Sequence, residues 1–200
     1  MVGMETTTRG RPRSFDRDAA LDRAIRLFWT NGYEATSIRD LSASLGIGTP
    51  SLYNTFGDKQ ALFAEAVLTY DRQYGGFIEA ALAEEPTATA AAVRILSQAP
   101  QRYTRRGLPR GCLIVSGDAG TDDETIRRAL QDLRDHKTAL LRAKIEVDIE
   151  AGVLPDGTDA ASLAGFTFAV LHGLAQRARD GATRAELTGI ANVAIGTWKR

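Results

Sequence analysis

The chain has 200 residues, of which 44% are hydrophobic, and its 25 Lys plus Arg balance 25 Asp plus Glu. This suits one compact unit or two small ones with a true core, and the zero net charge excludes a general basic coat, so any nucleic-acid surface is local. A single cysteine, Cys112, excludes an intramolecular disulfide and fits a reducing interior, while the lack of a signal sequence or a ~20-residue apolar run predicts a cytoplasmic protein with no membrane partner.

Helical spacing dominates from the start. Residues 16–31 place Leu21, Ala24, Ile25 and Phe28 at i, i+3, i+4 and i+7, with Asp16 as N-cap and Gly32 as the stop. Trp29 falls off that stripe and reads as a packing residue at the domain surface. Ser37-Ile38-Arg39-Asp40 has the form of a capping box, and the helix it opens turns Ile38, Leu41 and Leu45 inward before ending at Gly46. After Ile47-Gly48, Thr49 is expected to cap a short helix with Pro50 at its first position, and Gly57 to end it. Asp58 then caps one long helix over 59–84, with Leu62, Phe63, Ala66, Val67, Tyr70 and Phe77 on its apolar side.

Pro86 separates that helix from another that ends before Gly107 and Pro109. Residues 111–115, GCLIV, are the one plausible strand, although a buried helical turn of the same composition fits equally. A charged helix over 122–151 has Ile126, Leu130, Leu133, Leu140, Leu141, Ile145 and Ile149 recurring along it. Gly152, Pro155 and Asp156-Gly157 form a loop. Two last helices span 159–179 and 184–198. The expected fold is all-α.

The second and third helices, joined by LGIG, match the helix-turn-helix arrangement, in which the second member enters the DNA major groove and the first crosses the backbone. TPSLYNTF suits insertion because small polar residues let the backbone approach base edges, and an amide such as that of Asn54 can read a base or bind a phosphate. Free N–H groups near Ser37, Thr49 and Lys59 attract phosphate oxygens, and Lys59 adds a charge there.

NGYEATSIRDLSASLGIGTPSLYNTFGDKQALF, in order and at this spacing, resembles the N-terminal signature of the TetR family of transcriptional regulators. The likeness covers roughly residues 14–65. It implies an all-helical homodimer with an N-terminal three-helix DNA-binding unit and a C-terminal helical domain that binds a small molecule and dimerises. Carried over, Thr36, Ser37, Tyr53 and Lys59 contact phosphates, while Thr49, Pro50, Ser51 and Asn54 face bases or flanking phosphates. Asn54 departs from the family's usual His, losing a titratable ring but keeping a hydrogen-bonding tip. The division expected is a flexible basic arm over 1–13, the DNA-binding domain over 14–60, and the ligand-binding and dimerisation domain over 61–200. In the arm, Arg11 and Arg13 flank Pro12 without any acid nearby and suit a narrow minor groove; the bland reading is a charged tail.

Of the two histidines, His136 in RDHKT reads as a surface residue. His172, among Phe166, Phe168 and Leu171, reads as either a ligand donor or a satisfied core or dimer-face residue. Tyr103, Ile114, Phe166 and His172 are the expected pocket. Ala164, Gly165, Ala169 and Gly173 allow close helix approach and, with the last helix, read as a dimer face. No metal-ligand spacing or catalytic constellation can be singled out, and no cofactor is expected. The function expected is repression of a palindromic operator in double-stranded DNA, relieved by a small-molecule effector. Two rivals stand beside it: a helical binding or enzymatic protein that has lost DNA binding, and a regulator switched by oxidation of Cys112, whose apolar neighbours should raise its pKa.

Overall fold

The computed structural model describes residues 16–199 and contains helices but no strand among them. The basic arm, with Arg11 and Arg13, lies outside the described residues. Helix α1 (Arg17–Asn31) starts at Asp16, whose side chain accepts from the Ala19 N–H, and stops at Gly32 with φ 80°. Helix α2 (Ile38–Leu45) has both halves of its capping box: Ser37 Oγ accepts from the Asp40 N–H and the Asp40 carboxylate accepts from the Ser37 N–H. Gly46, in the left-handed region at φ 71°, closes it. Helix α3 follows as Thr49–Phe56.

The start of α3 differs from expectation. Gly48 is the N-cap and Thr49 is already helical, which puts Pro50 at the second position. Proline is tolerated there for the reason it is tolerated at the first, since neither N–H has an intrahelical partner. The Thr49 hydroxyl instead lies 3.3 Å from Ser42 Oγ across the turn.

Helix α4 spans Lys59–Tyr70, and the long helix expected over 59–84 is broken after it. Asp71–Gly75 form a π-turn, and α5 (Phe77–Glu84) restarts beyond Gly76. Asp71 is held there by Lys137 at 2.8 Å, and its carboxylate oxygen lies 2.4 Å from where a Gly75 Cβ would be, so a side chain at 75 would push that carboxylate aside. Apolar periodicity on both sides hid the interruption, because a π-turn adds residues without changing composition.

Helix α6 (Ala88–Tyr103) runs through Pro100, α7 (Leu113–Ser116) resolves GCLIV as a helical turn, and α8 (Glu124–Glu150), α9 (Ala160–Arg179) and α10 (Arg184–Trp198) complete the bundle. Two cores result. One joins α1 to α4 through Ile25, Phe28, Leu41, Leu52 and Phe63, and takes in Leu113, Ile114, Ile126 and Leu130 from further along the chain. The other joins α5, α6, α9 and α10 to the second half of α8 through Ile95, Leu96, Leu141, Ile145, Phe168 and Leu187. Packing thus continues past residue 60. Trp29, expected near the surface, is 2% exposed, because α1 is covered on a second face as well.

The two cores are pinned together at one joint. Arg179, at the end of α9, donates to the Trp29 carbonyl at 3.1 Å and to Ser116 Oγ at 2.9 Å. The Tyr33 N–H donates to the Gly117 carbonyl. Gly111 fits here with φ 83°, where a Cβ would meet the Ala175 carbonyl oxygen at 2.7 Å.

Candidate nucleic-acid interface and inner cavity

Two turns of α3 are enough because both ends of its apolar side are anchored. Leu52 is fully buried and Phe56 nearly so, with the Arg17 guanidinium 4.8 Å from the Phe56 ring and paired bidentately to Glu65. The opposite face is open: Thr49, Pro50, Ser51, Tyr53 and Asn54 are all exposed, Tyr53 at 46%. Ile47, Ser51, Asn54 and Thr55 line a shallow groove along it. The Thr55 hydroxyl donates to the Ser51 carbonyl and is therefore spent inside the helix.

The flanking positions divide. Ser37 is exposed beside the free N–H groups of α2, although its hydroxyl also serves Asp40. Thr36, expected on a phosphate, is fully buried and donates to the Gly32 carbonyl at 2.7 Å, so its side chain locks the turn between α1 and α2. Lys59 stands at the first position of α4 with its Nζ 4.1 Å from the Tyr33 ring centre; partial burial lowers its pKa, and Glu34 and Asp123 oppose that shift. Arg39 is a further exposed cation on the first turn of α2, where the chain would meet a phosphate backbone. Its place in the capping box was the available signal.

Behind this unit lies a narrow, partly open cavity between the two cores, with about 40 Å³ of enclosed free space. Tyr103, Ile114 and His172 line it. Phe166 does not: it is 40% exposed on the outer side of α9, and Phe168, two residues on, turns inward in its place. Trp29, Tyr70 and Tyr74 form an aromatic wall, with Trp29 4.7 Å from Tyr70 and 5.3 Å from Tyr74 between ring centres. The Trp29 Nε1–H is buried without a hydrogen-bond partner. Sequence spacing could not find this wall, since it needs α1 brought against the π-turn.

Burial lowers the His172 pKa below its usual 6.5, with Arg134 adding to the effect, so the imidazole is neutral at neutral pH. The Cys112 thiol is on the same wall. Burial raises its pKa, while its hydrogen bond with Tyr70 pulls the other way. Such a thiol is a poor nucleophile at neutral pH. Within α9, Ala164 belongs to the chain's own core and not to an outer face, whereas Gly165, Ala169 and Gly173 are exposed.

A helix-turn-helix with an open polar second helix, carried on a helical bundle with an aromatic-walled cavity, defines a DNA-binding regulator of two-part design. Comparison with known proteins specifies the class. Residues 20–66 match the family described as "Bacterial regulatory proteins, tetR family", and residues 89–188 match "Tetracyclin repressor-like, C-terminal domain". The chain is 34% identical over 200 residues to the HTH-type transcriptional repressor ComR of Escherichia coli (strain K12), covering 96% of this chain and 92% of ComR. It is 29% identical to BdcR of the same organism, an HTH-type transcriptional repressor, over 92% of this chain and 90% of BdcR. Among solved structures, a cysteine mutant of the TetR family transcriptional regulator CifR, complexed with 26bp double-strand operator DNA, superposes with a TM-score of 0.87 at 38% identity, covering 94% of this chain and all of that one. The protein belongs to the TetR family and is a helix-turn-helix transcriptional regulator.

Proposed function

We propose that the protein is a homodimeric repressor that holds a palindromic operator with two copies of α3 and lets go when a small molecule enters the cavity. Residues 14–60 are the DNA-binding domain in this reading, and 61–200 sense the ligand and dimerise. Thr49, Pro50, Ser51 and Asn54 face base edges or adjacent phosphates; Ser37, Tyr53, Lys59 and Arg39 hold the backbone. One α3 covers only a few base pairs, so useful affinity and specificity need two half-sites. The outer faces of α9 and α10 supply a partner surface: Phe166, Ile190 and Val193 are exposed at 40%, 42% and 76%, and nothing lies within 4 Å of a Cβ placed at Gly165, Gly173 or Gly189.

One observation carries the ligand-release reading: the cavity sits at the joint. Its wall includes Trp29 of α1, Tyr70 at the end of α4, Asp71 of the π-turn, and Phe168, Leu171 and His172 of α9. A ligand there touches both the helix that positions α3 and the helix that faces the partner. A molecule that binds better to one placement of α4 shifts the population toward it, which changes the separation of the two recognition helices. Gel mobility shift with the ligand-free protein on DNA upstream of its own gene tests the reading. A retarded band that a cavity ligand abolishes is expected; ligand turnover by a protein that retards no upstream DNA would favour an enzyme instead.

A further inference from the structure

The cavity has a charge asymmetry that selects its ligand. Four cationic side chains line it, Arg102, Arg105, Arg134 and Lys137, against one acid, Asp71. Two of the four are already matched. Lys137 is buried between Asp71, at 2.8 Å, and Glu79, and Arg134 pairs with Asp118 at 3.0 Å. Arg102 and Arg105 have no carboxylate partner among the described residues. Both are exposed at the rim, Arg102 in the last turn of α6 and Arg105 in the loop beyond its end, with the Arg102 guanidinium 5.4 Å from the centre of Phe77, a wall residue. The surrounding chain deepens the bias, since no Asp or Glu occurs between Glu85 and Asp118. The overall charge of zero makes this a local field.

The interior is complementary to an apolar body. Tyr70, Tyr74, Phe77, Phe168 and Leu171 supply aromatic and aliphatic surface. The Trp29 Nε1–H is a buried donor with no acceptor; such a group costs free energy until something accepts from it. The one acid on the wall, Asp71, shares Lys137 with Glu79.

We infer that the effector is an organic monoanion, a carboxylate with an apolar, acceptor-bearing body. The guanidinium pair Arg102 and Arg105 holds the carboxylate at the rim, the aromatic wall receives the body, and the Trp29 N–H donates to an acceptor on it. This rests on the ligand-release reading above and narrows its ligand to one class. Guanidinium suits the role because its donors match carboxylate geometry and its charge does not titrate.

The test compares three molecules of one shape on the full-length protein: 4-phenoxybutyrate, its neutral amide, and 4-phenoxybutylamine. Binding is followed by calorimetry and operator release by fluorescence anisotropy of labelled DNA. The carboxylate should bind about tenfold tighter or more than the other two, the scale of a charge-assisted hydrogen bond. Arg102→Gln with Arg105→Gln should bring it down to the level of the amide without weakening the amide. An amide or amine that binds as tightly as the carboxylate, an advantage that survives the double substitution, or binding by none of the three overturns the anion class. Tighter carboxylate binding that leaves the operator complex intact keeps the class and contradicts the release reading instead.

Discussion

At the scale of single residues, the exposed face of α3 and the cations around it do different work. Asn54 and Ser51 are exposed on α3, and in the proposed reading they face base edges, so Asn54→Ala should cost about 1–3 kcal/mol on the preferred operator and relax the base preference at one position. Lys59 is proposed for the phosphate backbone. Lys59→Ala should weaken binding to all sequences alike and reduce the slope of log affinity against log salt by about 0.9, read from titrations at several salt concentrations. An unchanged slope removes Lys59 from the phosphate contacts and leaves it as the cation over Tyr33. Thr36 separates stability from recognition. Its hydroxyl is buried on the Gly32 carbonyl, so Thr36→Val should lower the melting temperature, at a cost of about 1 kcal/mol, while the folded fraction binds operator as before. Family resemblance alone assigns Thr36 to DNA; burial, which a one-dimensional pattern does not contain, takes its side chain away.

At the scale of elements, the capped helices were legible and the joints were not. Asp16, Ser37 with Asp40, Asp58 and the glycines at 32, 46 and 57 mark helix ends by chemistry that acts over three or four residues, and the structure uses each of them. The break at Asp71–Gly75 depends on Lys137, 66 positions away along the chain, and no local pattern shows that pairing. The same distance hid Trp29 and exchanged Phe166 for Phe168 on the cavity wall. Glycines offer a test at this scale. Gly111 adopts φ 83° with its α-carbon against the Ala175 carbonyl, so Gly111→Ala adds both backbone strain and a clash, costing about 1–3 kcal/mol or more, measurable by thermal or denaturant unfolding. Gly120, with a similar φ of 75° but open space around it, should tolerate alanine better because only the strain remains.

The whole molecule behaves as two cores joined at a shared wall, and its pH response reports that wall. Burial holds the His172 pKa below its unfolded value, so the native state binds fewer protons than the unfolded chain once the pH drops below about 6.5. The contribution is therefore fully present at neutral pH and is lost as the pH falls through that unfolded value toward the folded one. His172→Phe, which keeps a ring against Phe168, should flatten the acid limb of a stability-against-pH curve relative to the parent. At the other exposed surface, Val193→Asp should convert dimers to monomers in sedimentation and abolish tight operator binding without loss of helix content, because each monomer then holds one half-site alone. These two responses are independent: the first reads the inside of the bundle, the second its outer face.

The central claim is that α3, in two copies, reads a dyad. Selection of bound fragments from a random DNA library by the purified dimer measures it most directly. The account predicts an enriched palindrome whose half-site centres lie about one helical turn, ~34–36 Å, or a multiple of it apart, with enrichment lost in a Ser51→Ala, Asn54→Ala variant that remains folded and dimeric. Enrichment of single, unpaired sites, or the same palindrome recovered by that variant, would contradict it.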